Sequence, residues 1–217
     1  MKAPGIRQSL FLAWTQTTIE RENWLQLPPG QGYLEAMIPF LFLTTSIVST
    51  AVAAAPIPGI QLPVKIMAQT TDYTCGVVCL NSVLDYLGKP VWGELHLARF
   101  LGTTEKEGTH PEQIRDGVER MGLKADLRQG LSIKDLEQAL KRGHPVLVLI
   151  RFSDGVNGHW VVVNGIQSQQ ITMMDPDLEA RERRYRYESF QNFNRDWWHS
   201  FDEGKTIYRG VGIEIYP

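Results

Sequence analysis

Between residues 75 and 143 apolar side chains recur at helical spacing, whereas beyond residue 144 they come in short unbroken runs. Val77, Val78, Leu80, Val83, Leu84 and Leu87 line one face of a helix predicted over 75–87, with Gly88 as its stop. A second helix is expected over 91–101, ended by Gly102. THPE at 109–112 reads as a capping box with proline in the first turn, opening a helix to about Met121. SIKDLEQALKRG, from Ser132 to Gly143, predicts another. The period then changes. PVLVLIRF (145–152), HWVVVNGI (159–166) and QITMMD (170–175) are rich in β-branched residues and separated by SDGVNG-type and SQQ turn signals. They predict consecutive antiparallel strands of a central sheet. A short helix from about Tyr187 to Trp198 and a final strand, KTIYRGVGIEIY (205–216), complete an α+β order with helices first and sheet second.

The first 55 residues follow a different pattern. MIPFLFLTTSIVSTAVAAA (37–55) carries no charge and ends in small residues, as an export signal or a membrane anchor would. Basic residues before it are balanced by acidic ones, and the 36 preceding residues are long for a signal peptide. Export is the expectation: a periplasmic, extracellular or outward-facing anchored protein. The expected organisation is thus an N-terminal export signal or anchor segment over 1–55, a proline-rich linker PIPGIQLP over 56–63, and one folded domain over 64–217.

Composition changes this picture little. A formal net charge of −2 in 217 residues gives no nucleic-acid footprint. Two cysteines cannot build a disulfide framework, and Cys75 and Cys79 lie four apart on one helix, a poor geometry for a bridge. Neither has a histidine at zinc spacing, and His96, His110, His144 and His199 are expected at the surface or at helix ends. No metal or organic cofactor is implied. EGKT (203–206) lacks the upstream glycine of a phosphate loop, so a transporter would have to be a separate partner.

The position of Cys75 carries the chemistry. It opens the first helix, where unpaired N–H groups and the helix dipole favour a thiolate, while Cys79 reads as a buried small side chain. A cysteine nucleophile also needs a base, a group to orient that base, and donors for an oxyanion. His159 begins a strand after Gly158, and Asp175 ends the neighbouring strand 16 residues later. If the two strands pair through the SQQ turn, both side chains meet at one edge. Asp177 is a rival acid in the same MMDPD stretch. Gln69, six residues before Cys75, can offer a side-chain amide beside the Cys75 backbone N–H. EARERRYRYE (179–188) reads as a solvated face, and Trp197 and Trp198 as packing residues.

Gln69-x5-Cys75-Gly at a helix start, Gly158-His159-aromatic-Val-Val, and Asp175-Pro176 after a strand together resemble the C39-like cysteine peptidases, papain-like enzymes related to the processing domains of bacteriocin exporters. EGTHPEQI (107–114) resembles a loop-helix entry of the same family, and the likeness spans about 64–217. The resemblance implies a papain-like fold and a peptide or protein substrate. It further implies Cys75 as nucleophile, His159 as base, Asp175 as orienting acid and Gln69 as oxyanion donor. Thr74 stands where exporter-type members carry Asp, so the resemblance implies the nucleophile without the exporter role or its double-glycine leader substrates. Two rival functions stand beside this one: an acyl transferase of transglutaminase-like or phytochelatin-synthase-like type, which keeps the triad, and a non-catalytic peptide-binding module, which keeps the groove and needs none of the four residues.

Overall fold

Strands β3 (Val146–Arg151) and β4 (Gly158–Gln167) explain the architecture, because their side chains alternate between two separate cores. Leu147, Leu149, Trp160 and Val162 pack on one face of the sheet with α1 (Cys75–Tyr86), α2 (Glu94–Leu101) and α3 (Pro111–Arg120). Val146, Val148, Ile150, Val161 and Val163 pack on the other with α4 (Ile133–Lys141) and α5 (Phe190–Asp196). Burial on both faces is why these strands read as continuous apolar runs rather than alternating ones.

The structure is a computed structural model that describes residues 59–151, 157–177, 185–201 and 204–217, all within one compact unit, Val52–Pro217. The segment 37–55 and residues 179–184 of the charged run therefore lie outside the described residues. Among the described residues no helix is long and apolar enough to cross a membrane.

The sheet runs β2 (Lys124–Arg128), β9 (Gly212–Tyr216), β3, β4, β5 (Gln170–Met174), β6 (Arg186–Ser189), with β1 (Ile60–Gln61) added on β4. Every pairing in it is antiparallel. The β3–β4–β5 meander is as expected. Ser168 and Gln169 close the β4–β5 hairpin with φ of 47° and 66°, the double left-handed turn that matches strand twist. Ile60 and Gln61 pair with Ile166 and Gly165, so the sheet already takes up residues expected in the linker.

Several elements differ from expectation. The helix predicted over 187–198 is shorter, because Arg186–Ser189 pairs with β5 and Ser189 then caps α5 by accepting from Asn192 N–H. The strand predicted over 205–216 is two. β8 (Thr206–Arg209) pairs with β7 (Trp198–Phe201) in a separate sheet, and the chain breaks at Gly210, φ 54°, before β9. Helix α3 is capped at His110 rather than Thr109, with the Gln113 side chain accepting from His110 N–H at 2.7 Å. Thr109 is bonded to Thr103 instead.

Candidate active site

Helix α1 brings Cys75 to the sheet because the residue after it is glycine. A Cβ at Gly76 would lie 2.9 Å from Trp160 Cδ1 and 3.1 Å from Thr109 Cβ, so only glycine lets the helix start approach β4 this closely. Trp160 is itself fixed, buried and donating its indole N–H to Thr109 O at 2.8 Å. The first turn of α1 contains no acidic side chain to compete for the helix dipole.

The loop ahead of Cys75 is tied down by Glu94, the first residue of α2. Its carboxylate accepts from Thr70 N–H and Thr70 Oγ1, both at 2.9 Å, and from Thr74 Oγ1. Thr74 is fully buried and also meets Thr71 Oγ1 at 2.8 Å. Sequence reasoning missed Glu94, since nothing in its local pattern points back to residues 70–74.

His159 and Asp175 lie at the same end of β4 and β5, because Val162 pairs with Met174. Asp175 Oδ1 sits 2.6 Å from His159 Nε2, and both side chains are buried. That contact leaves Nδ1 as the other ring nitrogen, and the imidazole is also hydrogen-bonded to Cys75. Burial works against a charged imidazole, yet the bonds to Asp175 and Cys75 outweigh it and raise His159 from 6.5 to about 9. Burial likewise opposes charge on Asp175. His159, the Asp177 backbone N–H and Arg186 overcome that and hold the carboxyl below its ordinary value. Asp177 thus serves through its backbone, 3.0 Å from Asp175 Oδ1, while its own side chain faces solvent.

Arg186 was not foreseen. The charged run was read as a solvated face, but β5–β6 pairing sets Arg186 opposite Met173 and brings its Nη1 within 3.1 Å of Asp175 Oδ2. A second bond to Glu188 Oε1, at 2.8 Å, orients the guanidinium.

Gln69 joins the group through its backbone, donating to Pro176 O at 2.9 Å, next to Asp175. Its side-chain oxygen is buried with no hydrogen-bond partner among the described residues. Cys79 is inaccessible, one helical turn below Cys75, with its thiol on Trp160 O at 3.2 Å. Burial, then the Cys75 and Asp175 charges, push that thiol well above its ordinary value. The arrangement therefore differentiates the two cysteines. One stands at a helix start beside an imidazole, and the other is sealed in the core.

A cavity of about 240 Å³ opens against Cys75, bounded by Tyr73, the 105–109 turn, Gly158 and Phe201. His199, expected at the surface, is buried and lines this cavity; a Cβ at Gly158 would lie 2.5 Å from its ring. His144 is half-buried and pairs with Glu214 at 2.6 Å, and His110 stacks on Phe201, so neither is a free surface group. Among the described residues no three His, Cys, Asp or Glu side chains cluster in a way that could hold a metal ion.

Solved structures share this fold. The peptidase domain of Streptococcus ComA, a bifunctional ABC transporter of a quorum-sensing pathway, superposes with a TM-score of 0.56 at 21% identity, covering 71% of this chain and 98% of that one. A double-glycine-motif protease from an AMS/PCAT transporter, solved in complex with its leader peptide, gives 0.54 at 18% identity, over 75% and 97% of the two chains. A C39-like peptidase from Bacillus anthracis gives 0.54 at 17% identity, over 74% and 98%. No curated protein matches the chain. The sequence profile of the peptidase C39 family does match, over residues 63–198, a stretch that holds the Cys75 helix and both strands of the His159–Asp175 pair. On that match the chain belongs to the peptidase C39 family and is a cysteine peptidase.

Proposed function

We propose that the chain hydrolyses peptide bonds through Cys75, His159 and Asp175, with Gln69 and the Cys75 backbone N–H holding the oxyanion. The observation that carries this reading is the buried His159, bonded to Asp175 at 2.6 Å through Nε2 and hydrogen-bonded to Cys75 as well. An imidazole kept cationic to about pH 9 stabilises a thiolate beside it.

In this mechanism the Cys75 sulfur attacks the substrate carbonyl carbon, and the carbonyl π electrons move to oxygen. As the tetrahedral species collapses, the C–N bond breaks and His159 gives its proton to the leaving amine. The acyl group stays on Cys75 as a thioester. Water then attacks with neutral His159 as base, the C–S bond breaks, and the acid leaves with the thiolate–imidazolium pair restored. Asp175 orients the ring throughout and stabilises its cation. The Gln69 backbone bond to Pro176 O, next to Asp175, supports a side-chain amide whose N–H reaches the oxyanion.

The leader peptide bound to one structural neighbour supports a peptide substrate. The uncharged segment 37–55 supports export or outward anchoring, which fractionation and N-terminal sequencing test; a cytosolic chain retaining residue 1 would overturn that part. Peptide turnover by Cys75→Ala and Cys79→Ala tests the chemistry. Cys75→Ala should lose turnover while Cys79→Ala keeps it. The reverse would show the nucleophile to be wrong, and product carried onto an added amine rather than water would indicate acyl transfer.

A further inference from the structure

The cavity against Cys75 is not explained by the triad, and its walls carry a charge pattern. Asp72, Glu105 and Glu107 line it, with Lys106 as the cation among its lysine and arginine neighbours. Lys106 is 85% exposed, and its ammonium reaches Glu107 Oε1 at 3.1 Å. Lys106 thus offsets Glu107, and among the described residues the charged lining stays net acidic through Asp72 and Glu105.

The acidic rim is built rather than floppy. Thr104 and Gly108 close the turn with two backbone bonds of 3.1 and 2.8 Å, and Glu107 N–H adds a third to Thr104 Oγ1 at 3.1 Å. Gly108, φ 64°, sets this turn against Tyr73, two residues before the nucleophile. On the far side the wall is Gly158, which lacks a side chain and precedes His159 directly. A volume of about 240 Å³ corresponds to about eight waters at ~30 Å³ each, room for one long side chain and part of its hydration.

Resting on the peptidase reading above, we propose that this cavity is a specificity pocket for a cationic side chain, Lys or Arg, beside the scissile bond. The side chain that enters it belongs to a residue whose backbone lies at Cys75, so the charge is read as the carbonyl is presented. Carboxylates on a partly exposed rim favour a cation over a neutral isostere modestly, by about tenfold. A matching anionic side chain is disfavoured by the same wall.

Two measurements on the full chain test this and separate it from the peptidase reading. Cleavage of a randomised peptide mixture, read by mass spectrometry, should place Lys or Arg at one fixed position next to the cut, about tenfold over citrulline or norleucine there. The triple variant Asp72→Asn, Glu105→Gln, Glu107→Gln should bring that ratio close to one, and Glu107→Lys should lower it further. Should the triple variant not fold, the ratio is read from Asp72→Asn and Glu105→Gln singly, both at exposed positions. Independently of turnover, Cys75 should react about tenfold faster with a trimethylammonium-ethyl methanethiosulfonate than with its sulfonate counterpart, after each rate is corrected for a free thiol. Peptides cut without charge preference, together with equal reagent rates, would overturn the pocket and leave the peptidase standing. No cleavage of any peptide by a chain that still sorts the reagents by charge would overturn the peptidase reading and the substrate assignment with it.

Discussion

Replacing Asp175 with Asn removes the carboxylate charge that faces His159 Nε2 while leaving an acceptor of nearly the same shape. An imidazole moved from 6.5 to about 9 is stabilised as a cation by about 3 kcal/mol. That is the net after burial has taken its share, so the bonds to Asp175 and Cys75 together supply more. A hydrogen bond to a charged partner is worth about 1.5–3 kcal/mol, which corresponds to about 1–2 pH units. The alkaline limb of kcat/KM reports loss of the proton that His159 gives to the leaving amine. It should lie near pH 9 in the parent and fall to about 7–8 in Asp175→Asn, with partial activity kept on the acid side. Alkylation of Cys75 by iodoacetamide should not show this alkaline fall, because it has no leaving amine that needs a proton from His159. The same pair acts on folding. His159 titrates higher in the folded chain than in the unfolded one, so its stabilisation is complete below about pH 6.5 and lost as pH rises through about 9. Asp175→Asn should flatten that part of the stability curve. An alkaline limb that stays near 9 in the variant, with an unchanged His159 titration by NMR, would refute the assignment of the raised value to Asp175.

Gln69→Ala should lower kcat by about 10²–10³, the usual cost of one oxyanion donor, with little change in KM; a steady-state comparison on one peptide checks it. Gly76→Ala places a methyl 2.9 Å from Trp160 and should push α1 off β4, lowering stability by about 1–3 kcal/mol in denaturant titration and turnover by tenfold or more. Wild-type turnover in that variant would show that the close approach is not needed. Glu94→Ala frees Thr70 and the buried Thr74, so unfolding free energy should drop by about 1–3 kcal/mol, and Glu94→Gln should recover part of it.

The elements legible in the sequence are those whose pattern is local. Helix α1 shows as a 3.6-residue stripe, and β3, β4 and β5 show as apolar runs with a two-residue turn between the last pair. Cys75, His159 and Asp175 were legible because each sits at an element boundary, where chain direction brings ends together. The elements that escaped depend on pairing across the chain. Strand β2, KADLR, offers only Ala125 and Leu127 as apolar residues and is a strand because β9 lies beside it. Arg186 sits in a run that looks solvated, although Tyr185 and Tyr187 alternate with arginines at period two, a signal that could have identified β6. His199 reaches the cavity through the absence of a side chain at Gly158, which no local pattern announces. Glu94 acts on a loop 20 to 24 residues earlier, through contacts that only tertiary structure makes.

Strand β9 is the latest described strand in chain order, yet it lies inside the sheet, between β2 and β3. Its Glu214 is buried and holds Arg142 and His144, so it anchors the interior as well as filling it. During synthesis, the edges of β2 and β3 stay open until residues 212–216 have left the ribosome. Cys75 emerges much earlier, on α1, but the sheet that carries His159 is incomplete until then. Folding of this sheet therefore waits on β9, and the growing chain exposes the pairing edges of β2 and β3 until that strand arrives. A peptidase assembled this way completes the sheet behind its site only when β9 slots between β2 and β3.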